Sequence, residues 1–214
     1  MYLRKITLKN IKCFADFELN FIQGEGIRQW TVLLGQNGLA KSRFSQVSGV
    51  TLAGPSAVRE LLPVAEGWVR RGEPYGEIEA ELFWTDDDAL VPGWPKTKSP
   101  YVTRYIVTGD DPKRLPEILS EHYSVPTIAD WSGQGTSRER EKVSKDMSRL
   151  KQTAYAEGKP GWLGCGYGPF RRLSGGSQDA DRILYAERKS ARFVTLFRED
   201  AALTNATKWL ISLY

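Results

Sequence analysis

Residues 35–42 read Gly35-Gln36-Asn37-Gly38-Leu39-Ala40-Lys41-Ser42, directly after the apolar run Thr31-Val32-Leu33-Leu34. This stretch nearly completes a phosphate-binding loop: a glycine, four residues, then Gly-Lys-Ser/Thr, placed between a strand and a helix. Gly35, Lys41 and Ser42 fit, and Ala40 stands where glycine is usual. The chemistry explains the residue types. Consecutive main-chain N–H groups at a helix start form a concavity that binds anions, supplied here by the run from Gly35 through Arg43. Lys41 is expected to reach the β- and γ-phosphates of ATP as the catalytic cation, and the Ser42 hydroxyl to take one position on Mg²⁺. The methyl group of Ala40 either crowds the phosphates or is accommodated at negative φ, so weakened hydrolysis is one expectation and a glycine-rich structural turn the competing reading.

Upstream, Ile6 and Leu8 alternate with Lys5, Thr7 and Lys9, the pattern of a half-buried strand. Phe17, Leu19 and Phe21 alternate with Asp16, Glu18 and Asn20 in a second strand, and Gln29–Leu34 reads as the strand feeding the loop. Downstream, Ser42–Leu52 suits a helix. The spacing predicts another helix over Ala57–Val69, bounded by Gly54-Pro55 and Gly72. Gly76–Phe83 sets Ile78, Ala80 and Leu82 against Glu77, Glu79 and Glu81, and Tyr101–Val107 is rich in β-branched and aromatic residues.

The remainder is less regular. Asp86-Asp87-Asp88 reads as a solvated turn before a metal site, and Pro92–Pro100 as a loop. Residues 110–160 hold few periodic apolar positions and are expected to form a variable surface insertion. Within it, Arg138–Lys151 is a charged helix with a thin stripe of Val143, Met147 and Leu150. Ala201–Tyr214 reads as an amphipathic helix.

Composition narrows the class. The 214 residues are 41% hydrophobic and 26% charged, ordinary for a globular chain. No stretch approaches the ~18 uninterrupted apolar residues of a membrane helix, and Met1-Tyr2-Leu3-Arg4-Lys5 lacks a signal-peptide core. No membrane partner is expected, and cytoplasmic location is the default. Two cysteines, Cys13 and Cys165, and one histidine, His122, give neither a disulfide framework nor zinc-site spacing. The net charge of +4 is compatible with an anionic partner such as DNA.

The opening stretch, "ITLKNIKCFADFELNF" followed by "WTVLLGQNGLAKS", resembles the N-terminal lobe of the ABC-type ATPases of recombination and chromosome maintenance. These are the RecF- and SMC-like proteins and the related ATPases of bacterial anti-phage systems. The segments "YGPFRRLSGG", "RFVTLFREDAAL" and "WLISLY" look like stretches of the defence-associated members, including those paired with an HNH nuclease. The resemblance implies an α/β fold: a P-loop NTPase lobe of ABC-ATPase type, with an antiparallel β-subdomain and a helical insertion. It implies ATP and Mg²⁺ as cofactors and a head-to-tail dimer, or pairing with a second ATPase lobe. A nuclease subunit and DNA would be further partners. It also places Lys12, in the Asn10–Phe14 turn, near the nucleotide phosphates; a surface lysine is the alternative.

Leu173-Ser174-Gly175-Gly176-Ser177 resembles the ABC signature, and Phe193–Phe197 before Arg198-Glu199-Asp200 imitates the apolar strand and acid pair that hold Mg²⁺. Both are read as decoys. Arg198 intervenes, and the acids run Glu-Asp rather than Asp-Glu. Residues 1–214 are then expected to be a single ATP-binding lobe, without the signature, acid pair and switch histidine of a second lobe. Alone it should hold nucleotide and not turn it over. Two other readings stay open: a degenerate, non-hydrolysing P-loop scaffold for protein interaction, and a small kinase-like enzyme, for which no arginine-rich lid is evident.

Overall fold

The computed structural model describes residues 1–24, 26–34, 40–85, 88, 99–123, 126–158, 163–169, 176–186 and 188–202. Its centre is an antiparallel sheet held together by alternation. β1 (Tyr2–Ile11) pairs with β2 (Phe14–Asn20) on one side and with β5 (Tyr75–Phe83) on the other. Between them in the chain, β3 (Ile22–Gln23) and β4 (Gly26–Ile27) make a separate short hairpin. β6 (Tyr101–Thr108) and β7 (Ile128–Asp130) complete the sheet in the order β2-β1-β5-β6-β7.

Register stacks the apolar rows. Ile6 lies opposite Ala80 and Ala80 opposite Thr103; Leu8 lies opposite Ile78 and Ile78 opposite Tyr105. All six are buried. The other face is a charge ladder, because the acidic strand β5 runs between basic neighbours. Arg4 pairs with Glu81 at 3.3 Å, Arg104 with Glu79, and Lys5 reaches across to Glu18 at 2.7 Å. Opposite charges facing across strands favour this register.

Helices cover the apolar face. α1 (Lys41–Ala53) buries Phe44, Val47 and Val50. α2 (Pro55–Leu61) stops well short of the helix expected to Val69. Leu62 precedes Pro63, and the proline ring disfavours helical geometry at the residue before it; Leu62 takes φ −138° and ψ 70°. Beyond the short α3 (Glu117–Ser120), α4 (Ser137–Gln152) opens on a capping box in which Thr136 and Glu139 satisfy each other's main-chain N–H.

The stretch expected as a surface insertion helps build the interior. Met147, Leu150, Ala154 and Tyr155 belong to the core, and Ile128 of β7 joins them. Three apolar residues at i, i+4 and i+7 suffice to dock a helix that is otherwise charged. Asp146 of α4 accepts the Val102 main-chain N–H at 3.1 Å, and Tyr155 donates its hydroxyl to the Thr51 carbonyl at 2.7 Å. α5 (Gln178–Leu184) and α6 (Val194–Phe197) close the far side.

Candidate nucleotide site

Gly35, Gln36, Asn37, Gly38 and Leu39 lie outside the described residues. At Ala40 the backbone turns left-handed, with φ 53° and ψ −5°. The negative φ that would have accommodated its methyl group is therefore not adopted. Ala40 takes the conformation that glycine adopts without penalty, which is the reason a glycine is usual here.

α1 begins at the next residue, so Lys41, Ser42 and Arg43 form its first turn. Ala40 offers no side-chain cap, and the first turn holds no acidic residue. Among the described residues, the main-chain N–H groups of Ser42 and Arg43 find no partner. Lys41 and Arg43 both sit at the positive end of the helix dipole. Ser42 is exposed at the surface.

The β1–β2 turn brings Lys12 to the same region. Asn10 and Lys12 both take positive φ, 53° and 51°. A strap, residues 67–70, fastens the turn: Lys12 N–H donates to the Trp68 carbonyl and Arg70 N–H to the Asn10 carbonyl, each at 2.8 Å. Phe14 and Phe17 of β2 pack on Phe44 of α1, with ring centroids 6.5 and 5.8 Å away, and so lock the turn to the first helix. The Lys12 ammonium donates to the Gly67 carbonyl at 3.1 Å and lies 4.8 Å from the Trp68 ring centre. Burial against the strap pushes its pKa down to about 8, and the nearby Arg43 charge adds to the effect. The strap is a contributor that sequence reading missed. Its partners are 55 residues apart, and no local pattern announces it.

Residues 194–200, read as imitating an apolar strand and its acid pair, take a different local structure. Val194–Phe197 is helical, so no apolar strand leads to the acid pair. Asp200 is clamped by Arg198, with contacts of 2.7 and 3.0 Å, and accepts the Ser177 hydroxyl, which hold its carboxyl well below the usual range. Ser177 accepts the Ala180 N–H and caps α5. Arg171, Arg172 and Leu173 to Gly175 are outside the described residues, as are Asp86 and Asp87. Asp88 accepts the Met1 ammonium at 2.6 Å. His122 is exposed, and Cys13 and Cys165 are free thiols. Among the described residues no three metal-ligating side chains cluster, and no helix is long and apolar enough to cross a membrane. Lys41 and Ser42 thus open α1 at an uncapped turn.

One expected element is missing. Gln29–Leu34 forms no strand, and Trp30, Val32 and Leu34 are 89, 79 and 90% exposed. A parallel-sheet strand needs hydrogen-bonding neighbours, and no described residue supplies one here.

No family model matches the chain, and no curated protein does. Among solved structures it is similar to one described as "Structural biochemistry of ATP-driven dimerization and DNA stimulated activation of SMC ATPases", with a TM-score of 0.40 and 20% identity over 69% of this chain and 80% of the other. A likeness of that degree carries no functional weight.

Proposed function

We propose that this chain is the ATP-binding lobe of an ATPase that dimerises on ATP and gates a DNA-processing or nuclease effector, in anti-phage defence or DNA repair. The supporting observation is the start of α1, where a left-handed residue leads into an uncapped turn carrying Lys41 and Ser42. The preceding motif, from Gly35 to Ser42, gives that turn its chemical meaning. When bound, ATP·Mg²⁺ supplies the triphosphate and the metal charge that phosphoryl transfer requires. The chain's own part is to bind and orient. Lys41 and the first-turn N–H groups hold the phosphates, Ser42 offers a metal ligand, and Lys12 adds a second cation from the β1–β2 turn. Residues that align water and hold the metal from the other side belong to a second lobe, in a further stretch of polypeptide or a partner. The lobe alone then binds nucleotide and does not hydrolyse it.

Titration with a fluorescent ATP analogue and Mg²⁺ tests this. A charge-assisted hydrogen bond is worth ~1.5–3 kcal/mol, so Lys41→Ala should weaken binding ~10-fold or more. Unchanged affinity in Lys41→Ala would remove the nucleotide site. The strained Ala40 favours a second reading, a degenerate scaffold. That reading requires wild type not to bind and Ala40→Gly to gain binding.

A further inference from the structure

We infer that the end of the sheet where β1 begins and β5 ends, together with the β3–β4 hairpin, binds a small planar aromatic molecule that carries one carboxylate. A cavity of about 510 Å³ lies between these elements, within the ~300–1,000 Å³ usual for small-molecule sites. Tyr2 and Phe83 line it. They are cross-strand partners of β1 and β5, so their rings share one face of the sheet. Ile22 and Ile27, partners across the hairpin, supply further apolar lining. Tyr2 and Ile22 each remain 37% exposed. Two aromatic rings side by side offer a flat surface on which another ring packs.

Arg4 is the only charged residue that lines the cavity among the described residues. A β-bulge puts it there. The register passes from Leu3 opposite Leu82 to Lys5 opposite Glu81, and Arg4 is the extra residue. Bulges re-aim a side chain out of the alternation of the strand and gather beside functional sites. The Arg4 carbonyl accepts the Phe21 N–H at 2.8 Å, which ties the bulge to the residue that leads into the hairpin. Glu81, which is not in the lining, comes within 3.3 Å of the guanidinium. The Arg4 side chain makes no hydrogen bond among the described residues. Its planar fork matches a carboxylate in two parallel hydrogen bonds, and a single cation suits one carboxylate rather than a polyphosphate. Glycine completes the site. Gly24 takes φ 58°, as its turn requires. Gly26 lies in β4 at no positive φ, and a Cβ there would meet only the Gln23 carbonyl, at 3.8 Å. A strand glycine that neither conformation nor packing requires marks a close approach of ligand to main chain. This site goes beyond the nucleotide reading and does not rest on it: from Arg4 to Lys12 the extended chain of β1 runs roughly 25 Å.

The test titrates the whole nucleotide-free chain with 2-naphthoate, following the Gly24 and Gly26 amide resonances by NMR and the affinity by calorimetry. Two controls separate the parts of the ligand: 2-naphthalenemethanol keeps the plane without the charge, and decahydro-2-naphthoate keeps the charge without the plane. 2-Naphthoate should move both glycine amides to saturation. The alcohol should bind ~10-fold more weakly or worse, as loss of a charge-assisted contact predicts, and the saturated acid ~3-fold more weakly or worse. Arg4→Gln should remove the preference for acid over alcohol. Gly26→Ala, whose methyl group meets no protein atom nearer than 3.8 Å and so spares the fold, should weaken 2-naphthoate. Equal binding of acid and alcohol by wild type overturns the inference. So does saturation with the two glycine amides unmoved, unchanged affinity in Gly26→Ala, or a folded Arg4→Gln chain that still prefers the acid. Should Arg4→Gln fail to fold, the three-ligand comparison on wild type and Gly26→Ala decide alone. Lys41→Ala should bind 2-naphthoate as wild type does, so failure of the nucleotide site leaves this result standing.

Discussion

Replacing Ala40 with glycine separates strain at the loop from ordinary helix capping. At φ 53° the Ala40 Cβ crowds the following carbonyl, a conformation that costs an L-residue ~1–2 kcal/mol. Glycine removes that cost but gains unfolded-state freedom worth ~0.4–1 kcal/mol. The balance is a stabilisation of roughly 0.5–1 kcal/mol. For a chain of this size that raises Tm by about 1–4 °C. Urea unfolding of the nucleotide-free protein measures it directly. The sign for glycine alone is not decisive, because glycine is also a better N-cap than alanine. Ala40→Ser decides. At a conventional N-cap, serine stabilises by ~1 kcal/mol through its hydroxyl. At a left-handed residue it keeps the Cβ strain and gains little. Glycine above wild type with serine level supports the left-handed geometry. Serine equal to or above glycine refutes it, and with it the inference that this position imposes the backbone of a phosphate loop.

Two further outcomes follow from the site and its support. Burial pushes the folded pKa of Lys12 down to about 8 from its ordinary 10.5, so between those values the unfolded chain binds more protons and stability rises with pH. Urea midpoints compared at pH 7.5 and 9.5 should therefore increase more in wild type than in Lys12→Met, while ATP affinity should fall above pH 8 in wild type alone; parallel pH profiles in the two proteins would exclude Lys12 from both roles. Asp146→Ala strands the Val102 N–H and frees Lys142, whose ammonium lies 2.8 Å from the same carboxylate oxygen, at a cost of about 1–3 kcal/mol in urea unfolding; a loss under ~0.5 kcal/mol would show that water replaces the carboxylate.

Sequence reading succeeded where a pattern carries its own neighbours. β1, β2 and β5 alternate, and their apolar rows and charged positions share the observed register, whereas β6, read from its β-branched and aromatic content, is buried continuously from Tyr105 to Thr108. α1 is bounded by the loop motif, and its start fell within a residue of expectation. It failed where periodicity continued after the backbone could not. Ala65 and Trp68 keep helical spacing beyond Pro63 and are buried, but they reach the core from irregular chain. α4 failed in the opposite sense: its charge suggested a solvated face, although Val143, Met147 and Leu150 alone dock it.

Gln29–Leu34 is the instructive case. An apolar run records that a segment needs burial; it does not say what buries it. The two features read there, the apolar run and its position before the loop, hold in the sequence. Leu33, beside Phe44 of α1, is still 38% exposed, and Trp30, Val32 and Leu34 stand in water. A periodic apolar run therefore specifies a face and not its neighbours, and among the described residues no strand is bonded beside this one.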